Sequence, residues 1–116
     1  MSERILTVED LRVDPGLLVP KRWDAAATSG ALTAAREVIA SLGPVSFEAD
    51  ELEPPLRKLA DERGWKVGDL FMAIRVAVTG RTATPPLFDV LVALGYERTL
   101  VRLDAAREAL VEVIAG

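Results

Sequence analysis

The chain has 116 residues, half of them hydrophobic, and a formal net charge of -4. That length suffices for one domain with one modest core. Cysteine and histidine are both absent, which excludes disulfides, thiolate chemistry, the usual near-neutral general base and the commonest metal ligand.

In chain order, Thr7 is placed to cap a short helical turn over Val8 and Leu11, with Asp10 at the third position. Asp14, Pro15 and Gly16 break that turn. Leu17, Leu18 and Val19 then run into Pro20 as an extended strap, followed by Lys21, Arg22 and Trp23. Trp23 suits either core cover or a contact surface. Asp24 is the expected N-cap of an alanine-rich helix with Leu32, Ala35, Val38, Ile39 and Leu42 at a 3.6 period. Ser29 and Gly30 weaken its first half, which moves the expected start toward Thr28. Gly43 and Pro44 end it.

Asp50 to Glu53 read as one loose turn, because Pro54 and Pro55 suit the first positions of a helix and damage its middle. The helix there has Leu52, Leu56, Leu59 and Ala60 as its apolar stripe, runs to Arg63 and stops at Gly64. Another helix opens near Gly68 or Asp69 and closes at Gly80, with Leu70, Phe71, Ile74, Ala77 and Val78 on its buried stripe. Thr84 is expected to cap the next helix, with Pro85 at its first position and Leu87, Phe88, Leu91, Val92 and Leu94 inside. Gly95 ends it. The last helix begins near Glu97 and repeats Leu100, Leu103, Leu110 and Ile114 on one side. The expected fold is all-α, a compact multihelical bundle of about five helices. It is read as one helical domain over 1–116, with the strap and short turn in 1–23 and the helical core in 24–116.

No apolar run reaches the length of a membrane span, and MSERILTVEDL has no signal-peptide pattern. The expected compartment is the cytoplasm, and Met-Ser-Glu-Arg resembles a natural start. Glu51, Glu53, Asp61 and Glu62 form a solvated acidic face better than a catalytic pair. No spacing suggests a metal centre. Gly64, Gly68 and Gly80 lack the lysine-hydroxyl ending of a phosphate loop. The last helix mixes Arg98, Arg102 and Arg107 with four acidic residues, a poor major-groove reader. No catalytic residue, cofactor or DNA partner is therefore expected.

The chemistry concentrates at the junction of residues 75–86. Arg75 and Thr79 lie four apart on one helix face, Gly80 turns the chain, and Arg81, Thr82 and Thr84 occupy the connection. Guanidinium groups beside a helix start would suit an anion, and they also grip or stack on nucleobases. Arg98 and Arg102 would extend a positive strip. The same residues have an architectural reading. Thr84 would then be a cap alone, and Arg75 would pair with Asp69, Asp89 or Glu97.

At these residues the chain resembles the C-terminal anticodon-binding region of bacterial-type glutamyl-tRNA synthetase. LLVPKRWD at 17–24 looks like the lead-in to that family's distal helical bundle. GWKVGDLFMAIRVAVTG at 64–80 looks like its helix ending in an arginine and a threonine-glycine motif. TPPLFDVLVALGYERTLVRL at 84–103 looks like the next two helices. The resemblance covers residues 17–112. It implies a non-catalytic module for a tRNA anticodon loop, with glutamate tRNA as partner and Arg75 and Thr84 near the second and third anticodon bases. Arg81 would flank them. The sequence has no nucleotide-binding signatures of the synthetase catalytic domain, so aminoacylation is not expected. The competing reading is a helical protein-interaction module acting on a synthetase or another translation protein. An exposed patch around Leu17, Leu18 and Trp23 would favour it.

Overall fold

The computed structural model describes residues 18–20, 23–45 and 47–115, with side chains described as far as residue 112. Five α-helices follow one another: α1 (Ala25–Leu42), α2 (Ala49–Arg63), α3 (Val67–Thr79), α4 (Leu87–Leu94) and α5 (Tyr96–Ala115). The all-α expectation holds, and there is no strand among the described residues. Nor is any described helix long and apolar enough to cross a membrane.

Asp24 starts α1 as expected. Its backbone is extended, and its carboxylate accepts a hydrogen bond from the Ala27 N–H at 2.7 Å. The helix begins at Ala25, earlier than the expected start near Thr28. An exposed glycine costs a helix about 1 kcal/mol relative to alanine. Here the cap and the burial of Thr28, Ala31 and Leu32 outweigh that cost. The Thr28 hydroxyl donates to the Asp24 carbonyl at 2.9 Å, so its burial leaves no unpaired group.

α1 packs most extensively against α5. The buried face of α1 is made largely of small residues, including Ala31, Ala34 and Ala35. α5 buries Thr99, Leu103, Ala106 and Leu110, spaced four, three and four apart. That spacing keeps one face toward the partner helix, and small side chains let two helices approach closely. Tyr96 ties the far ends together, its hydroxyl donating to the Ala40 carbonyl at 3.0 Å. Its ring meets Phe47 edge-on at 5.9 Å.

α2 departs from the sequence reading. It runs unbroken through Pro54 and Pro55, and the turn expected to be loose is its first turn. The two prolines withhold the N–H groups that would reach the Asp50 and Glu51 carbonyls. Both of those residues are exposed, so water is available to the carbonyls. Leu52 and Leu56, each 0% exposed, anchor the turn on either side.

α3 is buried along most of its length and ends at Gly80, whose φ of 73° is accessible at little cost only to glycine. α4 starts later than expected. Thr84 is not its cap and Pro85 is not its first residue; Pro86 is the N-cap and Leu87 opens the helix. Thr84 and Pro85 each precede a proline, which drives both toward extended backbone. Val92 was expected in the buried stripe but is 40% exposed.

At the start of the described chain, Leu18 is helical rather than extended, and it is fully buried. Leu17, Lys21, Arg22 and the expected turn at residues 7–11 lie outside the described residues, as does the Ile114 side chain. Trp23 packs against the core, its ring 5.5 Å from that of Trp65.

Replacing Asp24 with alanine removes the cap of α1 and is expected to lower stability by about 1 kcal/mol. Urea unfolding would show this as a lower midpoint with an unchanged slope.

Candidate nucleic-acid interface

The connection from α3 to α4 is built by side chains that fold back onto it. Arg75, half-buried on α3, donates from Nε to the Thr84 hydroxyl at 2.9 Å. The Thr84 hydroxyl gives its own proton to the Pro85 carbonyl at 2.7 Å. With its proton committed, Thr84 retains only acceptor capacity toward anything outside. Arg75 keeps further N–H donors, because its Nε is one of five in the guanidinium fork. Among the described residues Arg75 has no ion-pair partner, so the expected alternatives Asp69, Asp89 and Glu97 are not used.

Thr79 clasps the start of the turn. Its hydroxyl donates to the Arg75 carbonyl at 2.7 Å and accepts from the Arg81 N–H at 3.0 Å. The Arg81 backbone is thereby fixed while its side chain stays exposed. Arg102 reaches the same place from α5, and its Nη1 donates to the Val78 carbonyl at 2.6 Å.

These groups surround a cleft of about 320 Å³. Thr79, Arg81, Thr84 and Arg102 give it polar walls, and Val90 and Leu94 of α4 give it an apolar one. Arg75 is bonded to Thr84 but is not among the residues that line the cleft. Arg98 is exposed, one turn before Arg102 on α5, and does not line the cleft. The expected donors at the start of α4 are also reduced, because Pro85 and Pro86 carry no N–H.

Among the described residues, the cleft lining includes two arginines and no acidic residue. A larger cleft of about 370 Å³ between α1 and α5 differs in charge. There Arg36 and Arg107 are opposed by Asp104 and Glu108. Asp104 Oδ1 accepts from Arg36 Nε and from Arg107 Nη1, each at 2.8 Å. That site neutralises itself, whereas the arginines of the α3–α4 cleft face no acidic side chain in its lining. Among the described residues no group of three or more acidic side chains is placed to hold a metal ion.

Sequence reasoning thus found the polar rim of the cleft and missed its apolar wall and the Arg102–Val78 bond. Val90 and Leu94 lie four apart on α4, a spacing that signals a shared face without saying whether the face meets core or ligand. The contact from Arg102 spans 24 residues and leaves no local pattern.

Residues 3–107 match the family model described as "Anticodon binding domain". Among curated relatives, a glutamate–tRNA ligase of Roseiflexus sp. (strain RS-1) is 60% identical over 97 residues, covering 84% of this chain and 19% of the relative. A glutamate–tRNA ligase of Roseiflexus castenholzii is 57% identical, covering 80% of this chain and 18% of the relative. One from Salinispora tropica is 40% identical over 108 residues, covering 92% of this chain and 23% of the relative. The chain therefore spans about a fifth of the length of these relatives, and the matches cover only their anticodon-binding part.

Thr84→Val keeps the shape of the side chain and removes the oxygen that receives Arg75. It is expected to lower folding stability by about 1 kcal/mol. Equilibrium denaturation beside the wild type checks this, and a shift confined to the transition midpoint is the expected result.

Proposed function

The chain belongs to the anticodon binding domain family, and on that premise we propose that it is a non-catalytic tRNA-binding module that docks on the anticodon loop. The positively charged cleft beside the Arg75–Thr84 hydrogen bond is the observation that carries this reading. An unstacked nucleobase needs an apolar surface to lie on and polar groups to meet its edge. Val90 and Leu94 offer the first. Thr84, left with acceptor capacity alone, suits an exocyclic amine or another donor on a base edge. The further N–H groups of Arg75, which adjoins the cleft through its bond to Thr84, suit an acceptor, and Arg81 suits a phosphate that flanks the base. On the resemblance to glutamyl-tRNA synthetase, Arg75 and Thr84 would lie near the second and third anticodon bases, with glutamate tRNA as partner.

The module would act as one helical unit over residues 1–116 in the cytoplasm, with no cofactor and no chemistry of its own. Binding would be weak in isolation, since the chain carries a net charge of -4 that repels phosphate away from the cleft. It would fall steeply with salt, because the favourable share comes from releasing counterions. The protein-interaction reading has less support. Leu18 is buried and Trp23 half-buried, which removes much of the patch that would have favoured it.

Arg75→Ala is expected to weaken binding to glutamate tRNA by about tenfold or more, the range for one lost specific contact. The variant should keep its helical signal and cooperative unfolding. Undiminished binding by the folded variant would contradict the proposed role.

A further inference from the structure

We infer that Arg102 is a positioning residue for the Arg75–Thr84 corner, tethering the end of α3 to α5 so that the cleft keeps its shape. Its consequence for RNA binding rests on the proposed function, but the tether itself does not.

The connection over residues 80–86 has little burial to fix it. Arg81, Thr82, Ala83, Pro85 and Pro86 are all exposed, and Thr84 is half-buried. Three polar features hold the connection. Two are local: the Thr79 clasp on Arg81 and the Arg75–Thr84 bond. The third is the bond from Arg102 Nη1 to the Val78 carbonyl at 2.6 Å, which comes from another helix. Val78 lies next to the last residue of α3. Its carbonyl is one of the four that a helix end leaves without an internal donor. A cationic donor satisfies that carbonyl at the negative end of the helix dipole, and charge-assisted bonds are the stronger kind.

The base of the tether is rigid. Leu103 and Ala106 beside it on α5 are 0% exposed. Arg102 Nε is itself buried with no partner among the described residues. An unpaired buried N–H is unfavourable, so the side chain sits where the Val78 bond holds it rather than where all its donors are best served. α5 therefore fixes the α3 end of the corner, while Leu87, 3% exposed, fixes the α4 end. Loss of the tether frees one side of the corner and disperses the positions of Arg75 and Thr84.

Arg102 also lines the cleft, so direct contact with RNA must be separated from positioning. The test uses Arg102→Met, which keeps the aliphatic stem and removes the donor. Without RNA, amide hydrogen exchange by NMR should quicken about tenfold at Gly80 and Arg81, the effect of losing about one charge-assisted hydrogen bond. Exchange at Thr28 in α1 and Leu52 in α2 should not change. Unchanged exchange at the corner, or equal acceleration throughout the chain, would overturn the inference. With RNA, a cycle combining Arg102→Met and Arg75→Ala separates the two roles. Positioning predicts that Arg102→Met weakens tRNA binding in the wild type and adds little once Arg75 is gone. Fully additive losses would mean direct contact and would overturn it. If the wild-type chain binds no tRNA, the proposed function fails and the exchange measurement alone decides the tether.

Discussion

The packing of α5 against α1 is the constraint on which the remaining geometry depends. α5 buries a four-three-four series from Thr99 to Leu110, and α1 answers with a face rich in alanine. Once that pair is set, Tyr96 is placed to bond Ala40 and Arg102 is placed to reach Val78. The end of α3 and the start of the exposed connection follow from the second of these bonds. A cleft lined in part by a loop thus inherits its position from a buried helix pair. Functional loops on rigid scaffolds are built this way, because a loop with few buried side chains cannot hold its own shape.

Charge is distributed so that a protein with a net negative charge has a positive concavity among its described residues. Asp104 holds Arg36 and Arg107 together between α1 and α5, and their charge is spent within the fold. The side chains of that trio are about one-third exposed, so their mutual attraction is moderated by solvent and contributes modestly to stability. At the α3–α4 cleft the arginines bond to neutral partners, a hydroxyl and a carbonyl. Such bonds orient a guanidinium without cancelling it. The location of charge therefore matters more here than its sum.

Helix ends were easier to read from the sequence than helix starts. Glycine 43, 64, 80 and 95 each close a helix in the structure. Two proline pairs show the difficulty with starts. Pro54-Pro55 and Pro85-Pro86 are the same dipeptide with the same local bias, yet the first lies inside α2 and the second is excluded from α4. Buried Leu52 and Leu56 hold the first pair within a helix. Ahead of the second pair stand three exposed residues and a threonine whose hydroxyl is engaged by Arg75. Tertiary contacts decided both outcomes, and no window of local sequence contains them. The same holds for the cleft. Thr79, Arg81 and Thr84 of its lining, with Arg75 bonded to Thr84, were legible because they crowd one short stretch. Arg98 and Arg102 lie four apart, a spacing that shows a shared helix face and not what that face meets; of the two, Arg102 lines the cleft.

On the proposed function, this helical module recognises an anticodon loop through the α3–α4 cleft. The most direct measurement is a titration of the chain with glutamate tRNA and with the same tRNA carrying a replaced anticodon loop, repeated over a salt series. Loop recognition predicts binding at low salt that drops sharply when the loop is replaced, with the difference between the two RNAs persisting as salt rises. Equal affinity for both RNAs at every salt concentration would reduce the interaction to backbone attraction and contradict the claim.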